Sequence, residues 1–111
     1  MDERTRRVGN NEALFRQVNE EVEGLNRGLA EMTDETFHIV CECGDLTCQE
    51  RLVVPIAEYE SIRKDPALFL ILPGHEKPFA EYVVRETGAY TVVRKHEGDP
   101  ERLARATDPR G

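Results

Sequence analysis

Apolar residues recur at alternating steps of three and four along the first third of the chain, which is the spacing of one face of an α-helix. Asn10 or Asn11 suits the start of this helix, because a short side-chain oxygen can accept a hydrogen bond from an unpaired backbone N–H. We therefore predict an amphipathic helix from about residue 10 to about residue 32, preceded by a disordered segment over residues 1–9. The apolar stripe consists of Phe15, Val18, Val22, Leu25, Leu29 and Met32.

Two interpretations of this stripe remain open. Either the helix packs on the sheet of its own domain, or the heptad-like repeat forms a seam with a protein partner or a second copy of the chain. Gly24 and Gly28 lie off the stripe, and each weakens an isolated helix by roughly 1 kcal/mol relative to alanine. The helix therefore needs a surface to pack against, whichever of the two supplies it.

After residue 35 the pattern changes to short apolar or alternating segments, which are typical of strands. Asp65–Pro66 ends the one helix in this part, because the residue before a proline avoids the helical region. Thr87–Gly88 separates two alternating segments and predicts a hairpin. The predicted elements are strands over 37–43 and 51–54, a helix over 55–64, a buried strand over 67–72 and hairpin strands over 82–86 and 89–94.

These elements predict an α+β fold. It combines the N-terminal amphipathic helix with a small, mostly antiparallel sheet, a zinc-ribbon-like metal site and a C-terminal hairpin. At 111 residues the chain is long enough for one domain with a modest core. We place this single domain at residues 10–96 and expect residues 97–111 to form a polar, flexible tail.

The charge balance narrows the class of partner. Net charge is −7, whereas a nucleic-acid surface needs clustered lysine and arginine, so no nucleic-acid partner is expected. An anionic membrane surface is disfavoured for the same reason, and no apolar run approaches the roughly 20 residues that cross a bilayer. Residues 1–7 are polar and charged, so we expect no secretory signal, and an odd number of cysteines does not suit a disulfide framework. We expect a cytoplasmic protein.

The three cysteines lie within eight consecutive positions and suggest a metal site. Side chains two apart in a strand share a face, so Cys41 and Cys43 can point at one ion, and the break after Cys43 can bring Cys48 back to it. Zinc prefers four sulfur or nitrogen ligands in a tetrahedron. His75, which follows a Pro73–Gly74 turn signal, is the best fourth ligand. The predicted metal ligands are Cys41, Cys43, Cys48 and His75.

Other fourth ligands stay possible in principle. His38 lies on the opposite face of the strand from Cys41, and His96 lies close to the tail. Asp45 could bind through oxygen but is also a common turn former. Water is a further alternative. The cysteines could also be redox-active thiols or inert buried residues.

The chain resembles a group of short, uncharacterised bacterial proteins, mostly from high-GC species, that share a CEC…C…PGHE pattern. Cys41-Glu42-Cys43 with Cys48, and Pro73-Gly74-His75-Glu76, carry this resemblance, together with the helix sequence of residues 11–20. It extends over about residues 11–95. The resemblance implies that the three cysteines and His75 belong together and that position 38 is usually apolar. It implies no activity.

A closed shell of three cysteines and one histidine leaves no position for water or substrate, which is typical of a structural zinc site. We therefore expect a small zinc-binding module that acts in protein–protein interaction or regulation, and not an enzyme. One alternative is a thiol redox switch that releases zinc on oxidation. A less favoured one is a small zinc hydrolase, with water in place of His75 and Glu42 or Glu76 as the base. An iron–sulfur cluster is disfavoured by the wide spacing between Cys48 and His75.

Overall fold

The computed structural model describes residues 1–30, 36–48 and 50–111, and for residues 25–30 it describes the helical backbone alone. The side chains of Leu25 and Leu29, and all of Met32, therefore lie outside the described residues. The elements are α1 (Glu3–Ala30), β1 (Thr36–Val40), β2 (Arg51–Pro55), α2 (Ile56–Arg63), β3 (Leu68–Ile71), β4 (Glu81–Glu86), β5 (Thr91–Lys95) and α3 (Asp99–Ala106).

The strands form two antiparallel sheets, one of β1 and β2 and one in the order β3-β5-β4. In the first sheet Phe37 pairs with Val54 and Ile39 pairs with Leu52, and all four side chains are buried. The predicted hairpin is present as β4 and β5, with a register shift between Val83 and Arg85. The α+β class is confirmed, although the strands divide between two sheets where the sequence predicts one.

The core lies between these sheets and α2. Tyr59 and Ile62 of α2 are buried, and the Tyr59 ring packs edge-on against Phe37 at a centroid distance of 5.2 Å. Each large apolar side chain that leaves water in this way contributes about 1.5–3 kcal/mol. The strand β3 adds Phe69, Leu70 and Ile71 to the same core.

Helix α1 contacts the rest of the molecule through polar residues, which the apolar stripe does not predict. Leu14 is 54% exposed and Val18 is 37% exposed, while Val22 packs only partly against the core. The buried face consists of Thr5, Val8, Glu12, Arg16, Asn19 and Glu23. The helix thus lies on its own domain, with Val18 of the stripe exposed, Phe15 half-buried and Val22 packed against the edge of the core.

This polar face is buried because distant groups satisfy it. Arg16 donates to the carbonyl oxygens of Pro66 and Ala104, each at 2.7 Å. Asn19 bonds both backbone groups of Val40, accepting from its N–H at 2.8 Å and donating to its oxygen at 2.9 Å. Hydrophobic periodicity in a single segment contains no information about such partners.

The expected disorder over residues 1–9 is wrong for the segment from Glu3, where α1 begins. Asp2 Oδ1 accepts a hydrogen bond from the backbone N–H of Thr5 at 2.8 Å, so Asp2 starts the helix in place of Asn10 or Asn11. Thr5 and Val8 are buried, which gives this first part of the helix a surface to pack on.

The expected flexible tail over residues 97–111 is also corrected, because it contains α3, which packs against α1. The two helices approach closely at Gly9, where an added Cβ would lie 2.5 Å from Leu103 Cδ2. Arg110, beyond α3, bonds the carboxylates of Glu20 and Glu60 at 2.8 Å. Within the described residues, no helix has the length and apolar character that crossing a bilayer requires.

Candidate metal centre

The chain brings two loops together at one end of the sheets. The first loop, between β1 and β2, contains Cys41, Cys43 and Cys48, and the second, between β3 and β4, contains His75. Strand β1 ends at Val40, so Cys41 and Cys43 follow the strand, whereas the sequence predicts a strand as far as residue 43. Both cysteine side chains are nevertheless buried in the same core cluster as Ile39.

Two turns with glycine in the left-handed region shape these loops. Gly74 has a φ of +87°, and the N–H of His75 donates to the oxygen of Leu72 at 3.1 Å, as the predicted Pro73–Gly74 turn requires. Gly44 has a φ of +78°, and a Cβ there would lie 2.9 Å from both the Val8 oxygen and its Cγ1. Helix α1 thus lies directly against the cysteine loop, and only glycine fits between them.

The four predicted ligands converge on one point. The three sulfur atoms and one ring nitrogen of His75 all lie within 4.8 Å of one another. His75 Nδ1 is 3.6 Å from Cys41 Sγ and 3.8 Å from Cys48 Sγ. A tetrahedral ion with bonds of about 2.3 Å to sulfur and about 2.0–2.1 Å to nitrogen requires a sulfur–nitrogen separation of about 3.6 Å. The group can therefore hold one metal ion.

The three thiols influence one another. The hydrogen bond with Cys41 lowers the pKa of Cys43 to about 4, and the same bond, together with burial, raises the pKa of Cys41 far above its usual range. Burial also raises the pKa of Cys48. Because metals bind the thiolate form, loading this site releases protons and metal affinity falls as the pH is lowered.

Backbone and side-chain contacts position the cysteines. The N–H of Leu72 donates to Cys41 Sγ at 3.2 Å, and Asn11 Nδ2 donates to the Gly44 oxygen at 2.9 Å. The first contact joins the cysteine loop to the end of β3, and the second joins it to α1. Neither partner is evident from the spacing of the cysteines.

Glu42 lies between two of the predicted ligands in sequence but is buried outside the cluster that they form. Its carboxylate accepts hydrogen bonds from Asn19 Nδ2 at 2.6 Å, from the Leu70 N–H at 3.0 Å and from the guanidinium of Arg63. These bonds occupy both oxygens, so Glu42 is not free to act as the base that the hydrolase alternative assigns to it. Its role is to anchor the loop in the core, which a strand-like alternation with Cys41 and Cys43 could have indicated.

The other candidate fourth ligands lie elsewhere. His38 is exposed on β1, and His96 places Nε2 2.7 Å from the Pro78 oxygen and stacks on Tyr82. Asp45 accepts hydrogen bonds from the N–H and hydroxyl of Thr47 at 2.9 and 2.7 Å. None of these three belongs to the cluster that Cys41, Cys43, Cys48 and His75 form in the described chain.

Fold and cluster together define a small α+β domain with a Cys3His group that can hold a metal ion. No protein-family model matches the chain, and comparisons with curated proteins and with solved structures gave no significant match. The resemblance to bacterial proteins with the CEC…C…PGHE pattern therefore stays a prediction. Function has to be argued from the geometry.

Proposed function

We propose that this protein is a zinc-binding module in which Cys41, Cys43, Cys48 and His75 hold one structural Zn²⁺. The observation that supports it is the convergence of three sulfur atoms and one imidazole nitrogen within 4.8 Å, with two sulfur–nitrogen separations of 3.6 and 3.8 Å that suit a tetrahedral ion. Thiolate and imidazole ligands suit zinc, whereas calcium and magnesium prefer oxygen. Four protein ligands leave no position for substrate, so the proposed role is structural and not catalytic.

The proposed ion would link the two sheets. Three ligands belong to the loop between β1 and β2, and the fourth follows β3 of the other sheet. A bound ion adds a crosslink that the unfolded chain lacks, and its binding free energy therefore stabilises the fold. All three cysteines are free, so we also propose a reducing compartment such as the cytoplasm, in which thiols persist.

Metal analysis of protein purified without chelator tests this proposal. We expect about one zinc per chain, and a lower content in Cys41→Ser, Cys43→Ser, Cys48→Ser and His75→Ala because each removes a ligand. His38→Ala and His96→Ala are matched controls that remove an imidazole from outside the cluster, and both should keep the metal.

Metal-free protein, or ligand variants with unchanged zinc, would overturn the zinc assignment. Iron together with visible absorption would replace it with an iron–sulfur cluster. Full zinc retention by His75→Ala alone would assign the fourth position to His38, Asp45 or water.

We further propose that the module acts through protein contact at the face of α1 that exposes Leu14 and Val18, with the half-buried Phe15 between them. Leu14 and Val18 are among the large apolar side chains that the described chain leaves exposed, and they lie one helical turn apart. We take a second copy of the chain as the occupant, because spacings of three and four match themselves in a two-fold helix pair. A different protein partner is the alternative.

A thiol redox switch is the second candidate function. Its support is that Cys48 is only half-buried and that hydrogen bonding to Cys41 lowers the pKa of Cys43 to about 4. Two thiolates would give two electrons to a peroxide, form one S–S bond and release the zinc, while the peroxide is reduced to water. Zinc release by peroxide that a dithiol reductant reverses would support this function, and zinc that stays bound would exclude it.

A further inference from the structure

An open pocket with a volume of about 340 Å³ lies beside the cysteine loop. The first turns of α1 form one side, and the loop after Cys43 and the segment after His75 form the other. Its volume is at the lower end of the range of about 300–1,000 Å³ that ligand pockets commonly measure, and it is open to solvent. The polar groups in its lining are Arg4, Arg7, Asn11, Asp45 and Lys77.

Positive charge is concentrated in this pocket, although the chain has a net charge of −7. Within the described residues, no ion pair joins Arg4, Arg7 or Lys77 to a carboxylate. Most other cations of the described chain do have such partners: Arg6, Arg63, Arg85, Arg94, Lys95, Arg102, Arg105 and Arg110. Three cations that form no ion pair with the described residues, gathered around one open pocket, favour an anionic ligand.

Neighbouring contacts hold three of these groups, Arg4, Lys77 and Asn11, in place. The Arg4 guanidinium stacks over the Phe79 ring at 4.1 Å, and Lys77 Nζ donates to the His75 oxygen at 3.3 Å. Asn11 donates its amide to the Gly44 oxygen, which leaves its own side-chain oxygen unused by that bond. Arg7 follows Arg4 by one helical turn and so faces the same side of α1.

Asp45 is the one acidic residue in the lining, and it opposes an anion. Its Oδ1 already accepts hydrogen bonds from the Thr47 N–H and Thr47 hydroxyl, at 2.9 and 2.7 Å. These two hydrogen bonds direct Oδ1 of Asp45 toward Thr47 and stabilise the turn of the cysteine loop. The remaining balance of three cations against one carboxylate still favours an anion.

We infer that this pocket binds the phosphate group of a small phosphorylated molecule. Two guanidinium groups can each offer paired N–H donors to phosphate oxygens, and the lysine adds a third charge, so a dianion is fully compensated. The site is separate from the metal ligands, and it needs the folded cysteine loop but not a particular metal. The inference therefore does not depend on zinc being the ion.

The test is a titration of the native, metal-loaded protein with glycerol 3-phosphate, followed by backbone NMR shifts and by calorimetry. We expect shifts centred on Gly44, Asp45 and Leu46, and an affinity that falls as salt is raised. Arg7→Gln and Lys77→Gln should each weaken binding by roughly tenfold or more, because each removes a charge-assisted hydrogen bond. Lys64→Gln is the matched control, since it removes an exposed lysine from the end of α2, outside the pocket.

Succinate, a dicarboxylate of similar size and charge, distinguishes the chemistry of the ligand. Weak or absent succinate binding is the expected result, and equal binding of both would reassign the pocket to carboxylates. No binding of glycerol 3-phosphate, or an equal loss in Lys64→Gln, would overturn the inference. Circular dichroism and zinc content of every variant show that fold and metal are intact, so failure here is separable from failure of the zinc proposal.

Discussion

Glu12 lies at the centre of a buried charge cluster under α1. Lys95 Nζ donates to Glu12 Oε1 at 2.5 Å and to Glu81 Oε1 at 3.0 Å, and all three side chains are inaccessible to water. Two carboxyl groups thus share one ammonium in a dry environment. Burial, followed by the interaction with Glu81, raises the pKa of Glu12 well above its usual value of 4.5.

A raised carboxyl pKa predicts that the protein loses stability as pH rises. Between the unfolded value of 4.5 and the higher folded value, the native state holds a proton that the unfolded state has lost. The free energy of unfolding should therefore fall with pH in this window, by up to about 1.4 kcal/mol per pH unit from this group. Glu12→Gln removes this proton uptake and should remain stable at the alkaline end, where the native protein weakens.

Urea unfolding of both proteins, in excess zinc, from about pH 5 to about pH 8, measures the difference. Because zinc is in excess, the pH dependence of metal binding affects the native protein and Glu12→Gln equally and does not contribute to their difference. Glu21→Gln, which removes an exposed carboxyl from the same helix, should give a curve parallel to that of the native protein. Parallel curves for Glu12→Gln as well would show that Glu12 takes up no proton on folding.

At the scale of elements, α1 has one face that is buried and mostly polar and another that exposes apolar side chains. Its polar face is buried and bonded to segments far along the chain, as Arg16 and Asn19 illustrate. Its apolar residues Leu14 and Val18 remain exposed. Helix packing by apolar burial alone would give the reverse arrangement. The exposed apolar face is therefore the surface at which a second copy is proposed to bind.

Replacing Leu14 and Val18 together by aspartate should leave a folded monomer, because neither side chain contributes to the core. Light scattering should show native protein at twice the chain mass and the variant at the chain mass, with circular dichroism unchanged. Gln17→Asp places the same charge on an exposed neighbouring position as a control. A native monomer would exclude the second copy, and capture of another protein by the native chain but not by the variant would assign the face to that partner. Loss of the helical circular dichroism signal in the double variant would instead show that Leu14 and Val18 are needed for folding.

At the scale of the whole molecule, the Cys3His group brings together loops from two sheets that share one core, and the proposed zinc ion would crosslink them. Structural zinc binding contributes about 10–16 kcal/mol in small peptides at neutral pH, which equals or exceeds the whole stability of a typical domain at about 5–15 kcal/mol. Removal of the proposed zinc ion should therefore unfold or loosen the region from Phe37 to Glu76, which spans nearly all of β1, then β2, α2, β3 and all four proposed ligands.

Chelation followed by a thermal melt and limited proteolysis tests this expectation. We expect a large fall in Tm and new cleavage between residues 37 and 76, both reversed when zinc is restored. His75→Ala should resemble the chelated protein, and His96→Ala should resemble the native one. An unchanged Tm after verified zinc removal would show that the apolar core is sufficient without the ion.

Local patterns predicted the strands, the hairpin and α2 because their causes are local. Alternation in residues 37–40 and 51–54 places one side of each strand in the core. Helix α2 ends just before Asp65–Pro66, because the residue before a proline avoids the helical region. The same reasoning failed at both ends of the chain. It counted the polar residues of 1–9 and 97–111 as solvated, whereas buried Thr5 and Ala104 belong to the packing of α1 against α3.

By itself the sequence determined the fold class and the loop that brings three cysteines together, since both follow from spacing along a few residues. It also placed His75 at a fixed turn, through Pro73 and Gly74. Only the tertiary structure decided that His75, and not His38 or His96, joins the cysteines, because that choice depends on how the two sheets pack. It likewise decided that α1 buries its charged face. The partner of Glu12 is Lys95, which lies 83 residues further along the chain. A local sequence pattern cannot predict a buried ion pair between residues so far apart in sequence.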